Sequence, residues 1–237
     1  MAKAHTSWRV LPHAPLEKLS DRLWRVEGNL PDIAMKRVMT VARRDDGSLV
    51  VHNAIALDAA AMAELDAWGP VAVVVVPNRF HRLDAAVFHE RYPQARILCP
   101  AGAAAKVAQV VPVSGSYEEL GADGAVELQT LAGTREREGA MIVRAGDDTT
   151  IVFNDAIFNM PHLAGFTGFV LRRLTGSTGG PRVSRLTRLL VISDRAAFRA
   201  HLERLAALPG LRRVIVAHHL TIDHDPADTL RAVAATL

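Results

Sequence analysis

Three stretches of this chain end an apolar, β-rich run on groups that can hold a cation or move a proton. Val71–Asp84 (VAVVVVPNRFHRLD) carries Asn78, His81 and Asp84 behind its valines. Thr149–Asp155 (TTIVFND) ends on Asp155, and Arg213–His219 (RVIVAHH) ends on His218 and His219. A neutral imidazole serves as metal ligand or as general base near neutral pH. A carboxylate directly behind a buried strand is costly unless a cation or several donors meet it, which makes Asp155 a site candidate. Asp84 reads either as the N-cap of a following helix or as a ligand or proton acceptor. Asn78 reads as a residue that orients substrate or caps the strand end. His218 and His219 are adjacent in an extended run, so alternation sends their side chains to opposite faces and one at most faces a common rim.

Such groups meet only if the strands that carry them lie side by side. The valine run of residues 71–76 reads as a strand buried on both faces, ended by Pro77, which cannot donate to a ladder. Loops at the C-terminal ends of such strands are where α/β folds collect their sites. Residues 23–27 and 37–43 alternate as strands, and the turn Asp45-Asp46-Gly47 makes 37–52 a hairpin. A helix is expected over 58–68, with Asp58 as its cap and Gly69-Pro70 as its stop, and a short one over 84–92. Further strands are expected over 96–99, 126–131, 140–144 and 213–217. Gly133–Gly139 (GTREREG) joins two of these, helices cover 194–208 and 226–237, and a short helical stretch covers 102–109. Residues 1–20 read as a surface extension. With no repeat and no linker, residues 1–237 read as one domain. Hairpins followed by mixed strands and helices suit two central β-sheets with helices outside.

The 237 residues include 49% hydrophobic and 22% charged, a composition that fits an ordinary globular protein with a large core. A net charge of +3, from 28 basic and 25 acidic residues, gives no argument for nucleic acid. The single cysteine, Cys99, excludes an intramolecular disulfide and a cysteine cage. No apolar run approaches the ~20 residues of a bilayer span, and the N-terminus lacks a signal-peptide core, so a cytoplasmic protein is expected. Residues 156–193 stand apart as an acid-free insertion with Arg172, Arg173, Arg182, Arg185 and Arg188. They read as an apolar, cationic lid over an anionic substrate, with Arg172 and Arg173 as binding residues, ahead of a membrane-surface role for Phe166, Phe169, Val170 and Leu171.

The succession LVVHNAIALD, a helix ending Gly-Pro, VVVVPNRFHRLD, TIVFNDAIFN and VIVAHH resembles the metallo-β-lactamase superfamily, in a branch where Pro-Asn-x-x-His replaces the usual metal loop. The resemblance runs from about residue 20 to the C-terminus. It implies an α/β fold, a four-layer αβ/βα sandwich with its site along one rim of the sheets. Asp155 falls at the superfamily's metal-bridging aspartate and His218 at its last histidine. Asn78, Phe80, Arg82 and Leu83 occupy the positions of the usual His-x-His-x-Asp-His ligands, and GTREREG lacks the histidine expected there. The implied site therefore holds at most one divalent metal, zinc or else iron or manganese, on His81, Asp155 and His218. Asp84 and His81 would act in catalysis, and Asn78, Arg172 and Arg173 would contact a small-molecule substrate. The expected function is a hydrolase with this reduced metal site. The alternative is a metal-free pseudo-enzyme that binds a small anion or a partner through the arginine-rich segment. A His81–Asp155 acid/base pair without metal is a third reading.

Overall fold

The computed structural model describes residues 3–237. The N-terminal half builds a six-stranded sheet. In it β1 (Glu17–Ser20), β2 (Leu23–Leu30), β3 (Ile33–Arg43) and β4 (Leu49–His52) are successive antiparallel neighbours, and β5 (Val71–Val75) and β6 (Arg96–Leu98) join in parallel. Parallel neighbours need a crossover, and α1 (Ala59–Trp68) and α2 (Ala85–Arg91) supply it. α1 starts where expected, with the Asp58 carboxylate accepting from the Ala61 amide at 2.9 Å. After α3 (Ala104–Val107), the second sheet has four strands, β7 (Val126–Thr130), β8 (Gly139–Ala145), β9 (Asp148–Phe153) and β12 (Leu211–Ile215), in the order β12-β9-β8-β7. The connection from β9 to β12 holds a ribbon of β10 (Phe158–Met160) and β11 (Gly180–Arg182). It also holds α4 (Gly165–Val170), which runs on as a π-helical turn over Leu171–Thr175, then α5 (Arg185–Leu190) and α6 (Arg195–Ala206). α7 (Pro226–Ala235) ends the chain.

Three apolar clusters show why these elements stack in four layers. Val38, Val50, Val73 and Val75 of the first sheet meet Val126, Met141, Val143 and Val152 of the second in a central core. On the outer face of the first sheet, Leu49, Val51, Val71 and Val74 pack on Met62 and Leu65 of α1 and Phe88 of α2. On the outer face of the second sheet, Ile142, Ile151, Phe153 and Val214 pack on Phe198 and Leu202 of α6 and Leu230 and Val233 of α7. The valines of one strand thus enter two different cores, which is why the run in β5 is continuous rather than alternating. The result is the αβ/βα sandwich expected from the sequence.

Two local expectations change. Residues 3–20 are woven into the fold: Trp8 stacks on Phe88 with centroids 5.2 Å apart and donates Nε1–H to the Leu57 carbonyl at 3.0 Å, and β1 begins at Glu17. Residues 1 and 2 of the expected extension lie outside the described residues. A polar, proline-bearing composition hides a single aromatic anchor of this kind. Asp84 precedes α2 but caps nothing, because its side chain turns away from the helix.

Candidate metal centre

The strand ends do bring His81, Asp155 and His218 together, with one ligand atom of each within 4.8 Å of the others. His81 sits in the loop behind β5. There the side-chain oxygen of Asn78 accepts from the Phe80 amide at 2.7 Å and the His81 amide at 3.1 Å and curls the loop back. Asp155 lies two residues past β9 and His218 three residues past β12. Phe158 stacks on His218, with planes 4° apart and centroids 5.8 Å apart.

Each imidazole is held from behind. His218 Nδ1 faces the Lys36 backbone carbonyl at 2.8 Å, an atom that only accepts, so Nδ1 carries the proton. His81 Nδ1 faces Asn53 Oδ1 at 3.0 Å, and the other end of that amide donates to the Val38 carbonyl at 2.7 Å, which fixes which end is oxygen. Asn53 reaches this place from a left-handed backbone (φ 59°), a conformation asparagine tolerates. In the neutral state both histidines therefore aim an Nε2 lone pair inward. Both aim it at one atom, Asp155 Oδ1, at 3.2 Å from His81 and 3.3 Å from His218. Three lone pairs converging on one point repel unless a positive charge lies among them, either a cation or protons on the rings. Donors about 2.0–2.2 Å from a tetrahedral zinc lie about 3.3–3.6 Å from one another, close to the two contacts at Asp155 Oδ1. Backbone and amide acceptors behind the ligating rings are the usual outer shell of such a centre.

Asp155 has a further partner. The Asn78 amide nitrogen donates both to Asp155 Oδ2 at 2.8 Å and to Glu138 Oε1 at 2.7 Å. Glu138 is 1% exposed, and its Oε2 has no partner among the described residues. Burial first, and then the charge of Asp155, hold the Glu138 carboxyl well above the usual carboxylate range. Burial also opposes the charge on Asp155, but His81 and His218 outweigh it and hold that carboxyl well below its usual value. Of the two acids, Glu138 keeps the proton and Asp155 ionises. Sequence reasoning missed Glu138 and Asn53. In GTREREG the missing histidine drew notice, whereas the acid next to Gly139, at the start of a buried strand, was the available signal. Asn53 directly follows a buried strand, as Asn78 nearly does.

The other expected site residues lie elsewhere. Asn78 is not among the residues that line the cleft, and both ends of its amide are engaged with Asp155 and Glu138 or the loop amides of Phe80 and His81. Asp84 is outside the cluster and fully buried, with His5 Nδ1 at 2.6 Å on one oxygen and, on the other, Arg37 Nη2 at 2.7 Å and the Ala56 amide at 3.0 Å. Both oxygens are occupied by groups that tie the N-terminal strap and β3 to the start of α2. Arg172 and Arg173 are exposed and do not line the cleft. His219, expected by alternation to point away from His218, adopts φ 62°, which breaks the alternation and lets its Nε2 accept from the Lys36 amide at 3.2 Å. The two histidines thus grip the same residue of β3.

Above the cluster opens a cleft of about 600 Å³. His81, Asp155, His218, Glu138 and Asn53 contribute to its polar lining. Its walls are apolar, with Leu30, Ile33 and Met35 from the β2–β3 turn and Leu171, Leu186, Leu190 and Val191 from the acid-free segment. Thr187 of α5 donates Oγ1–H to the Asp155 backbone carbonyl at 2.8 Å, which ties that wall to the centre.

A two-sheet sandwich whose strand ends deliver His, Asp and His to one rim is a metallo-β-lactamase fold. The comparison that shows it is with a solved structure, the crystal structure of the DIM-1 metallo-β-lactamase exposed to ceftazidime. The TM-score is 0.63 over 96% of this chain and 99% of that one, at 11% identity. No family model and no curated protein matches the sequence. Among the described residues, no helix is long and apolar enough to cross a membrane.

Proposed function

We propose that the protein is a hydrolase that works with one divalent cation held by His81, Asp155 and His218, on a substrate with an apolar body. The observation that carries this reading is the convergence of three lone pairs whose outward partners leave them no other orientation. Zinc is the first candidate, because two imidazoles and a carboxylate form a known catalytic zinc set, with iron or manganese as alternatives. Such an ion, when bound, polarises a carbonyl or phosphoryl oxygen and acidifies water. The chain's own residues do the remaining work. The Lys36 carbonyl and Asn53 hold the Nδ1 side of each ring, so that in the neutral tautomers both Nε2 lone pairs face the centre. Asn78 holds Asp155 by Oδ2 and leaves Oδ1 to the centre. Glu138, kept neutral, limits the floor to one negative charge, and the apolar walls exclude water from the bond under attack.

A metal-free His81–Asp155 acid/base pair is the second reading, favoured by their 3.2 Å contact and their common place in the cleft. It requires a proton on His81 Nε2. Binding of an anion by Arg172 and Arg173 gains no support from their place outside the cleft.

Elemental analysis of protein purified without added metal, beside an Asp155→Ala/His218→Ala variant, separates the readings. The expected result is near-stoichiometric metal in the wild type and loss in the variant. Zinc at a hundredfold excess over its dissociation constant should also raise the wild-type Tm by about 5–10 °C, from about 2.7 kcal/mol of linkage and the unfolding entropy of a chain of this size. Absence of metal from both proteins after soaking would overturn the metallohydrolase reading. Hydrolysis of acyl esters, thioesters or phosphodiesters by that metal-free protein would move the assignment to the acid/base pair.

A further inference from the structure

Six of the ten large apolar side chains exposed among the described residues fall between 166 and 190: Phe166, Phe169, Leu174, Leu186, Leu189 and Leu190. Phe166 is 82% exposed and Leu189 78%, values that no packing within the chain explains. Phe166 and Phe169 are three residues apart on α4 and share a face. α5 lies beside the π-helical turn, where the Arg185 guanidinium donates to the Arg173 carbonyl at 2.7 Å, so the two pieces present one surface. Arg172, Arg173 and Arg185 are exposed within it, and no acidic residue between 156 and 193 neutralises them. A clustered apolar patch of this kind marks an interaction surface.

We propose that residues 165–190 dock the protein on an anionic lipid surface. Charge decides the occupant. Aromatic and leucine side chains among arginines with no acid beside them in sequence match the chemistry of an acidic bilayer interface, where long basic side chains reach the headgroups while the apolar ones enter the acyl region. A second copy of this chain is disfavoured, because a twofold contact through the patch would set each arginine against its like-charged equivalents. Leu186 and Leu190 belong both to the patch and to the cleft wall, so the docked surface runs into the mouth of the cleft. On this proposal the segment serves an outward lipid-facing role beside its place in the cleft wall.

Flotation of the full-length protein with phosphatidylcholine vesicles, with and without phosphatidylglycerol, tests the proposal. Binding is expected to the anionic vesicles, weakened by high salt, and little to phosphatidylcholine alone. Arg172→Glu/Arg173→Glu and Phe166→Ser/Phe169→Ser should each lower partitioning at least about tenfold without changing Tm, because all four side chains are in the exposed patch. His81→Ala/His218→Ala should bind vesicles as the wild type does, so docking is measured apart from the metal centre. Equal binding of wild type and patch variants would overturn the proposal. So would a dimer in sedimentation that the same substitutions dissolve, with no vesicle binding.

Discussion

His52 offers a sharp test of how the first sheet supports the centre. It lies on β4 between Thr40 of β3 and Val75 of β5, is 1% exposed, and its Nε2 has no partner among the described residues. Burial, and then the neighbouring His81, push its pKa down to about 3. The unfolded chain takes up this proton near 6.5 and the folded chain resists it, so stability is lost as pH falls from about 6.5 towards 3. The full gap corresponds to about 4–5 kcal/mol, and about 3 kcal/mol of it is lost by about pH 4.5. Urea unfolding of wild type and His52→Leu near neutral pH and near pH 4.5 isolates this contribution, because the packing cost of the substitution cancels in the difference. The leucine variant should gain about 3 kcal/mol on the wild type over that interval. A gap between the two proteins that stays constant with pH would refute the reasoning and mean that His52 meets solvent or a partner when charged.

Glu138→Gln should match the wild-type stability within about 1 kcal/mol below about pH 4.5, where the acid is neutral in both the folded and unfolded chain, and should exceed it near neutral pH, whereas Glu138→Ala should cost about 2–4 kcal/mol at that low pH by taking a partner from Asn78 and opening a cavity. With its folded pKa raised, Glu138 stabilises the fold fully below the ordinary value of 4.5, and that contribution is lost as pH rises from there through the folded value. Denaturant titrations should show this decline in the wild type and its absence in the glutamine variant. Asp84→Asn should cost about 3–5 kcal/mol by leaving Arg37 buried and uncompensated, with metal per folded molecule unchanged. Loss of metal from folded Asp84→Asn protein would return Asp84 to the centre.

Most strands of the two sheets and three of the groups at their ends were legible in the residues alone, whereas β1, β10, β11 and the order of strands within each sheet were not. A run such as 71–76 can be buried only between two layers, and His81, Asp155 and His218 stand close behind such runs, so composition and spacing suffice. Partnership was settled only by the packing of the folded chain. Asp84 looks the same in sequence whether it caps a helix, binds a metal or neutralises Arg37. The choice was made by His5, 79 positions away, and by Arg37 on another strand. Glu138 became part of the floor because β8 lies beside β9, and Asn53 became the anchor of His81 because β4 pairs with β5. The outward face of residues 165–190 was likewise invisible to a pattern of apolar and basic residues, which is the same for a lid and for a docking surface. Periodicity reports how a residue sits on its own element, and only the packing of distant elements sets the charge and the lone pair it meets.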